Sequence, residues 1–191
     1  MLSQPFLTRF LSICLLALAV FLGGCGKDRG IVDVTADELY TRAKSAMDAS
    51  SWDRSIGLYK ALQTRYPFGR YTEQSMLDLS YVYFRRGATE EALSTLDRFI
   101  RTYPTHPSVD YAYYLKGLVN YEQNLGFLEK MMPSRVSDRD QSQAENAFFD
   151  FQELIRRYPD SRYVPDARQR MVFLRNNLAA YEVIVAEYYL R

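Results

Sequence analysis

Apolar residues recur along the chain at the three- and four-residue spacing of amphipathic helices, most clearly between Tyr71 and Pro104. Two apolar stripes lie in this stretch, the first formed by Met76, Leu79, Tyr83 and Phe84, and the second by Ala92, Leu96 and Phe99. Gly87 separates the stripes, and Pro104 ends the second because proline lacks the backbone N–H that continues a helix. The pattern predicts two short antiparallel helices that pack through their apolar sides.

The Tyr-Pro ending of this unit occurs three times, with prolines at positions 67, 104 and 159. The first two prolines are 37 residues apart and the last two are 55 apart, so the third unit carries 18 additional residues. Ser80 and Gly117 each follow the preceding proline by 13 residues, which places a small residue where paired helices cross closely. The unit therefore resembles a tetratricopeptide repeat, in which helix pairs of ~34 residues stack into a solenoid.

We predict an all-α fold, a tetratricopeptide-repeat-like α-solenoid of antiparallel helix pairs with about three and a half repeats. The repeats are assigned to residues 36–67, 71–104, 107–159 and 165–191, of which the third contains an insertion at about 125–141. From Pro165 onward one long helix is predicted, with an apolar seam at Met171, Leu174, Leu178, Tyr181, Val185 and Tyr188. Because this fourth unit lacks its second helix, we expect the sequence to be the N-terminal part of a longer protein.

The first 35 residues differ in character from the repeats. Residues 11–22 form an apolar run that is too short to span a bilayer, and Leu22-Gly23-Gly24-Cys25 follows it. This pattern predicts a lipoprotein signal peptide at 1–24, a lipidated tether at 25–35, and covalent N-acyl and diacylglycerol groups on Cys25. The alternative is an ordinary signal peptide in which the cysteine is incidental. Gly26 follows the cysteine, and in bacterial lipoproteins a residue other than aspartate there is typical of sorting to the outer membrane.

The balance of charges and the scarcity of reactive side chains disfavour several classes of function. Removal of residues 1–24 leaves 23 basic and 23 acidic residues, a balance that disfavours nucleic-acid binding. The single histidine, His106, follows a Tyr-Pro ending and is predicted to cap the next helix. Asp138 and Asp140 lack the glycine turn and distal glutamate of a calcium-binding loop. We therefore predict no catalytic residues, no metal site and no cofactor beyond the lipid on Cys25, and we do not expect an enzyme.

The segment Phe68-Gly69-Arg70-Tyr71, after the first Tyr-Pro ending, contains two aromatic residues and a cation. Such a loop either fills a gap between repeats or contacts a bound peptide, because aromatic side chains with a polar end are common on recognition surfaces. In the third unit, the tyrosines that follow Asp110 are too many for one helix to bury along a single stripe. We predict that a peptide-binding groove is lined by Tyr66, Phe68, Arg70 and Tyr111.

Several short motifs make the resemblance more specific than a generic repeat. They include Arg65-Tyr66-Pro67-Phe68-Gly69, Pro104-Thr105-His106-Pro107, Ser137-Asp138-Arg139-Asp140 and Ala186-Glu187-Tyr188-Tyr189. With these motifs, residues 25–191 resemble the lipoprotein D subunit of the bacterial β-barrel assembly (Bam) complex, a family also known as competence lipoprotein.

The resemblance implies five such repeats on an outer-membrane lipid anchor, facing the periplasm. It implies three kinds of partner: the barrel-forming subunit of the Bam complex, sister lipoproteins, and the C-terminal segments of unfolded outer-membrane protein clients. The expected function is that of a non-enzymatic scaffold in the assembly and insertion of β-barrel proteins. The alternative is a periplasmic repeat adaptor lipoprotein that recruits cell-wall enzymes and shares the anchor and the fold.

Overall fold

The computed structural model of the chain describes residues 34–129 and 141–190. This part contains seven helices: α1 Ala36–Asp48, α2 Trp52–Arg65, α3 Arg70–Arg86, α4 Thr89–Thr102, α5 Val109–Glu129, α6 Ser142–Arg157 and α7 Val164–Tyr189. Because α5 continues to Glu129, the first residues of the predicted insertion are helical. The signal peptide, Cys25 and residues 130–140 lie outside the described residues, so what we predict for them stays a prediction.

The helices pack as sequential antiparallel pairs, α1 with α2, α3 with α4, and α5 with α6. We call the first helix of each pair an A helix (α1, α3, α5 and α7) and the second a B helix (α2, α4 and α6). Each B helix also contacts the A helix that follows it, which joins neighbouring pairs into a row. The part of the chain that the structure describes contains no strand. The prediction of an all-α, tetratricopeptide-like arrangement is confirmed.

Each B helix ends in the same way, at the tyrosine of a Tyr-Pro pair. The backbone N–H groups of Tyr66, Tyr103 and Tyr158 each donate to a carbonyl oxygen four residues earlier at 2.8 Å, those of Leu62, Phe99 and Leu154 respectively. The proline that follows has no N–H to donate and cannot extend the helix. The local geometry is therefore common to all three pairs, although the third contains 18 additional residues.

The turn between α3 and α4 depends on a left-handed glycine. Gly87 has φ 80°, a conformation that residues with a Cβ rarely adopt. Its N–H donates to the Phe84 carbonyl at 3.0 Å, and the N–H of Ala88 donates to the Tyr83 carbonyl at 2.9 Å. These bonds satisfy the last carbonyls of α3 and turn the chain back toward α4.

Small residues lie where paired helices cross, as the sequence predicts. Ser80 and Ala92 are completely buried. Gly117 of α5 packs so closely on Phe151 of α6 that an added Cβ would lie 2.5 Å from the Cε1 of the phenylalanine. Large side chains fill the space around these crossings, with Tyr59, Phe99, Phe151, Leu77, Leu96 and Leu115 almost fully buried. Helix packing therefore supplies two apolar clusters of buried residues, which share the partly buried neighbours Tyr113, Leu118 and Tyr158.

Helix α7 is a single long helix, as predicted from Pro165, but its apolar seam is only partly covered. Leu174 is completely buried, whereas Tyr188 is 71% exposed. The seam therefore packs on α6 near its beginning and contacts solvent near its end. Among the described helices, none combines the length and the apolar character that a bilayer crossing requires.

Candidate functional site

The A helices line a cavity of about 630 Å³, which we call the A-helix cavity. Helices α1, α3 and α5 provide most of its wall, and the residues just before α7 complete it. Its aromatic and apolar surface comes from Tyr81, Tyr111, Tyr163, Met47, Leu77 and Pro107. Its charged groups belong to Lys44, Asp48, Asp78, Asp110 and Arg162. The cavity thus combines tyrosine rings with charges of both signs.

A buried network around Asp78 holds one wall of the cavity in place. The carboxylate accepts hydrogen bonds from the hydroxyls of Tyr40 at 2.9 Å and Tyr59 at 3.1 Å, and from the Nε2 of Gln74 at 2.9 Å. Burial first, and then the charge of Asp78, raises the pKa of both tyrosines far above its usual value. Both hydroxyls therefore remain protonated donors, and they tie α1 and α2 to α3.

Packed tyrosines form another part of the wall. The ring of Tyr163 lies parallel to that of Tyr114, with 4.6 Å between centroids and 15° between planes, and 5.5 Å from the centroid of Tyr111. The hydroxyl of Tyr114 donates to Asp166 at 2.7 Å. Burial, followed by this hydrogen bond, raises the pKa of Tyr114 to about 12. These contacts fix the ring faces that α5 and the start of α7 present to the cavity.

Most of the charged groups in the cavity are already engaged within the protein. Lys44 forms an ion pair with Asp48 at 3.5 Å. Asp110 accepts a hydrogen bond from the hydroxyl of Ser161 at 2.7 Å, and its other oxygen accepts the backbone N–H of Tyr111 at 2.8 Å. The charges therefore hold the walls together, and their remaining hydrogen-bonding capacity is open to a ligand.

The predicted groove residues fall in two places. Tyr111 lines the A-helix cavity, and burial raises its pKa. Tyr66, Phe68 and Arg70 lie instead at the junction between α2 and α3, outside the lining of the cavity. There Tyr66 is half-buried and its carbonyl accepts a hydrogen bond from Thr72, while Phe68 is 87% exposed. The role of all four residues in client binding stays a prediction.

Several cavity residues were not predicted from the sequence, notably Asp78, Tyr81, Arg162 and Tyr163. Asp78 and Tyr81 lie between the apolar positions of α3, so the spacing of apolar residues does not distinguish them from other surface residues. Arg162 and Tyr163 could have been found from the sequence. They form an Arg-Tyr pair that begins three residues after the proline of a Tyr-Pro ending, as the pair at residues 70–71 does.

The arrangement of ring faces and internally bonded charges is suited to binding. The lone histidine, His106, accepts the N–H of Ser108 on its Nδ1 at 3.1 Å and packs edge-on against Phe99. It therefore caps the turn that precedes α5 and not the helix itself, which begins at Val109. Among the described residues, no group of three or more histidine, cysteine, aspartate or glutamate side chains could hold a metal ion. The tyrosines of the cavity offer ring faces and hydroxyls, which are the groups that recognise peptides.

Fold and cavity together define a helical-repeat binding protein whose A helices present a tyrosine-lined surface. Residues 32–191 match the family described as outer membrane lipoprotein (YfiO), and the chain belongs to this family. The family confirms the predicted location, since its members are outer membrane lipoproteins.

The chain is also similar to several proteins called outer membrane protein assembly factor BamD. It is 39% identical to that of Xylella fastidiosa (strain 9a5c), over 100% of this chain and 67% of the relative. It is 38% identical to the Vibrio cholerae protein, over 93% and 73% of the two lengths. It is 39% identical to the Neisseria meningitidis serogroup B protein, over 97% and 69%. The chain thus spans 61% to 73% of the lengths of such relatives.

These similarities confirm the family resemblance that the sequence motifs indicate. The names describe a lipoprotein and an assembly factor, which agrees with the prediction that the chain is not an enzyme.

Proposed function

We propose that the chain is a scaffold and client receptor in the assembly and insertion of β-barrel proteins into the outer membrane. The lipid on Cys25 holds it at the periplasmic face of that membrane. There it binds the barrel-forming subunit of the Bam complex, sister lipoproteins and the C-terminal segments of unfolded clients. The shared family and the names of the relatives support this role.

The A-helix cavity is the observation that carries the client-binding part of the proposal. Its volume of about 630 Å³ suits a few side chains of an extended segment and is too small for a folded domain. Tyr81, Tyr111 and Tyr163 offer ring faces on which aromatic and apolar side chains can stack. The membrane-facing side chains of β-barrel strands are aromatic and apolar, so an unfolded strand presents matching groups.

The α2–α3 junction provides a second contact for clients. Phe68 is 87% exposed, so its ring is accessible to a client side chain. Tyr66 and Arg70 flank it and supply a ring and a cation. A client segment that reaches from the cavity to this junction would contact the groove residues predicted from the sequence.

Site-specific photo-crosslinking tests this placement. The full chain with p-benzoylphenylalanine at Tyr111 or Phe68 is mixed with a urea-unfolded outer-membrane porin upon dilution of the urea. We expect crosslinks to the porin from both positions and none from Ser94, an exposed position on helix α4 outside the cavity. Equal crosslinking from Ser94, or none from Tyr111, would contradict the proposal.

Co-purification tests the assignment of partners. The chain isolated from membranes in mild detergent should bring with it the barrel-forming subunit. Recovery of cell-wall hydrolases without that subunit would instead support an adaptor for cell-wall enzymes.

A further inference from the structure

Two arginines, Arg70 and Arg162, occupy equivalent places in the repeats. Each lies three residues after the proline of a Tyr-Pro ending, in the segments RYPFGRY at 65–71 and RYPDSRY at 157–163. Arg70 is the first residue of α3, and Arg162 lies two residues before α7. The junction at 104–108 has a proline and a serine at the corresponding positions, so the motif is confined to the other two.

The two copies of the motif adopt the same side-chain geometry. The Cζ of Arg70 lies 4.7 Å from the ring centroid of Tyr71, and its Nη2 donates to the hydroxyl of that tyrosine at 2.9 Å. The Cζ of Arg162 lies 4.8 Å from the ring centroid of Tyr163, and its Nη2 donates to that hydroxyl at 2.6 Å. In both cases the tyrosine positions the guanidinium without neutralising its charge.

Among the described residues, neither guanidinium lies within 4.0 Å of a carboxylate oxygen. The nearest acidic influences are indirect, since the Tyr71 hydroxyl donates to Asp37. The pKa of Arg162 is raised by its hydrogen bond to Tyr163 first, and the charge of Asp110 contributes to the rise. Arg170, by contrast, pairs with Asp166 at 2.6 Å, and Arg86 pairs with Asp53 at 2.8 Å. A guanidinium has five N–H donors, and the bond to tyrosine uses one of them. Both arginines are exposed, so the other donors can reach a ligand.

The two pairs flank the A-helix cavity. Tyr163 forms part of the cavity wall. Tyr71 packs against Tyr40 with 5.4 Å between centroids, and the hydroxyl of Tyr40 donates to Asp78, another lining residue of the cavity. We propose that Arg70–Tyr71 and Arg162–Tyr163 are two equivalent carboxylate-binding sites, which together hold one extended client segment along the A-helix face. This inference rests on the proposed function as a client receptor.

The chemistry of the guanidinium explains the choice of ligand. Its planar fork matches a carboxylate and can form two parallel hydrogen bonds with it. A polypeptide has only one terminal carboxylate, so occupation of both sites by one segment requires at least one aspartate or glutamate side chain. Binding at the second site is then intramolecular, and the two contacts reinforce each other.

Fluorescence anisotropy with synthetic peptides tests the inference on the full chain in detergent. The probe is a labelled peptide of alternating aromatic and polar residues that carries two glutamates and an amidated C-terminus. We expect Arg70→Gln and Arg162→Gln each to weaken binding about fivefold or more, and the double variant to weaken it further. A peptide with both glutamates replaced by glutamine should bind weakly and should not respond to the arginine substitutions.

Control variants separate geometry from net charge. Arg168→Gln removes an exposed arginine of α7 that does not line the cavity and should leave the affinity unchanged. Arg162→Lys keeps the charge but loses the planar fork, and we expect it to weaken binding nearly as much as Arg162→Gln. A version of the glutamine peptide with a free C-terminus measures what the terminal carboxylate alone contributes.

The outcomes distinguish the two proposals. If the unsubstituted chain binds none of the peptides, the proposed client-receptor function fails and this inference fails with it. If the chain binds but Arg162→Gln behaves like Arg168→Gln, only the inference is overturned. If binding depends on the free C-terminus and not on the glutamates, the sites do not recognise acidic side chains.

Discussion

Helix α5 takes part in two regions that are packed in opposite ways. Where it crosses α6, Gly117 lies so close to Phe151 that no additional atom fits between them. Where it faces the other A helices, Tyr111 borders a cavity of about 630 Å³ with charged groups in its walls. The comparison teaches that the crossings within pairs are closely packed and stabilise the fold, whereas the surface between pairs leaves open space, which we propose is used for binding. Substitutions in the two regions should therefore affect different properties.

The largest effect is expected from a charge placed in a crossing. Ala92→Arg would bury a guanidinium at a position that is completely buried, and it should lower the free energy of unfolding by more than ~3 kcal/mol. Thermal denaturation followed by circular dichroism measures the change. Ser94→Arg, at an exposed position of the same helix, should change stability by less than about 0.5 kcal/mol. An unchanged melting temperature for Ala92→Arg would refute the prediction.

A smaller effect, whose sign is opposite to the usual one for this substitution, is expected at the α5–α6 crossing. Gly117→Ala forces the ring of the fully buried Phe151 to move and should lower the free energy of unfolding by about 1–3 kcal/mol. Alanine normally stabilises a helix interior by ~1 kcal/mol relative to glycine, so the sign of the effect is diagnostic.

Gly57→Ala is the matched control for this substitution. Gly57 lies inside α2 with no atom within 4 Å of an added Cβ, so alanine should stabilise the chain there. Urea denaturation of both variants gives the two signs. Equal stabilisation by both would show that the α5–α6 crossing has room that the structure does not indicate.

In the wall of the cavity, Tyr59→Phe should cost about 1 kcal/mol, because it removes one of three donors from Asp78. Tyr40 and Gln74 continue to donate to the carboxylate, so the wall should keep its position. Urea denaturation measures the loss, and photo-crosslinking at Tyr111 should remain unchanged. A loss of crosslinking would show that this substitution affects client binding as well as stability.

The smallest expected effect is a pH dependence in another part of the wall. Burial would raise the pKa of Asp166, but hydrogen bonds from Arg170 and Tyr114 outweigh it and leave the pKa below its usual value of 3.8. A lowered pKa in the folded state means that the stabilisation is present above 3.8 and is lost as the pH falls below it. Because the side chain is 43% exposed, we expect only about 0.5 kcal/mol.

A comparison of Asp166→Asn with the unsubstituted chain isolates the contribution of the Asp166 carboxylate to stability. The variant should lose less stability between pH 6 and pH 3 than the unsubstituted chain, whereas Asp160→Asn, at an exposed position, should follow the unsubstituted chain. Identical pH profiles for Asp166→Asn and the unsubstituted chain would contradict the prediction.

The crossings could be predicted from the sequence because they follow from a local, repeated pattern. Small residues 13 positions after the first two Tyr-Pro endings indicated Ser80 and Gly117, and the structure places both in tightly packed positions. The ends of the B helices could be predicted equally well, since the proline of each Tyr-Pro pair cannot continue a helix.

The cavity was harder to predict because it forms between repeats. Tyr111 and Tyr163 are 52 residues apart, and only the stacking of successive pairs brings their rings within 5.5 Å. Asp78 similarly joins side chains from three helices, and no spacing along one helix reveals such a contact. The predicted aromatic loop at 68–71 was conspicuous because its residues are adjacent in the sequence, although it lies outside the cavity lining.

The way in which the B helices stop has a practical consequence for engineering. Each terminus is set by its own tyrosine and proline, so the start of the next pair does not depend on how many residues preceded it. The connection between Glu129 and Ser142 can accordingly differ in length or content while α6 still finishes at the same point relative to α7. An epitope or a fluorescent reporter grafted into that connection should therefore leave the end of α6 and the start of α7 unchanged.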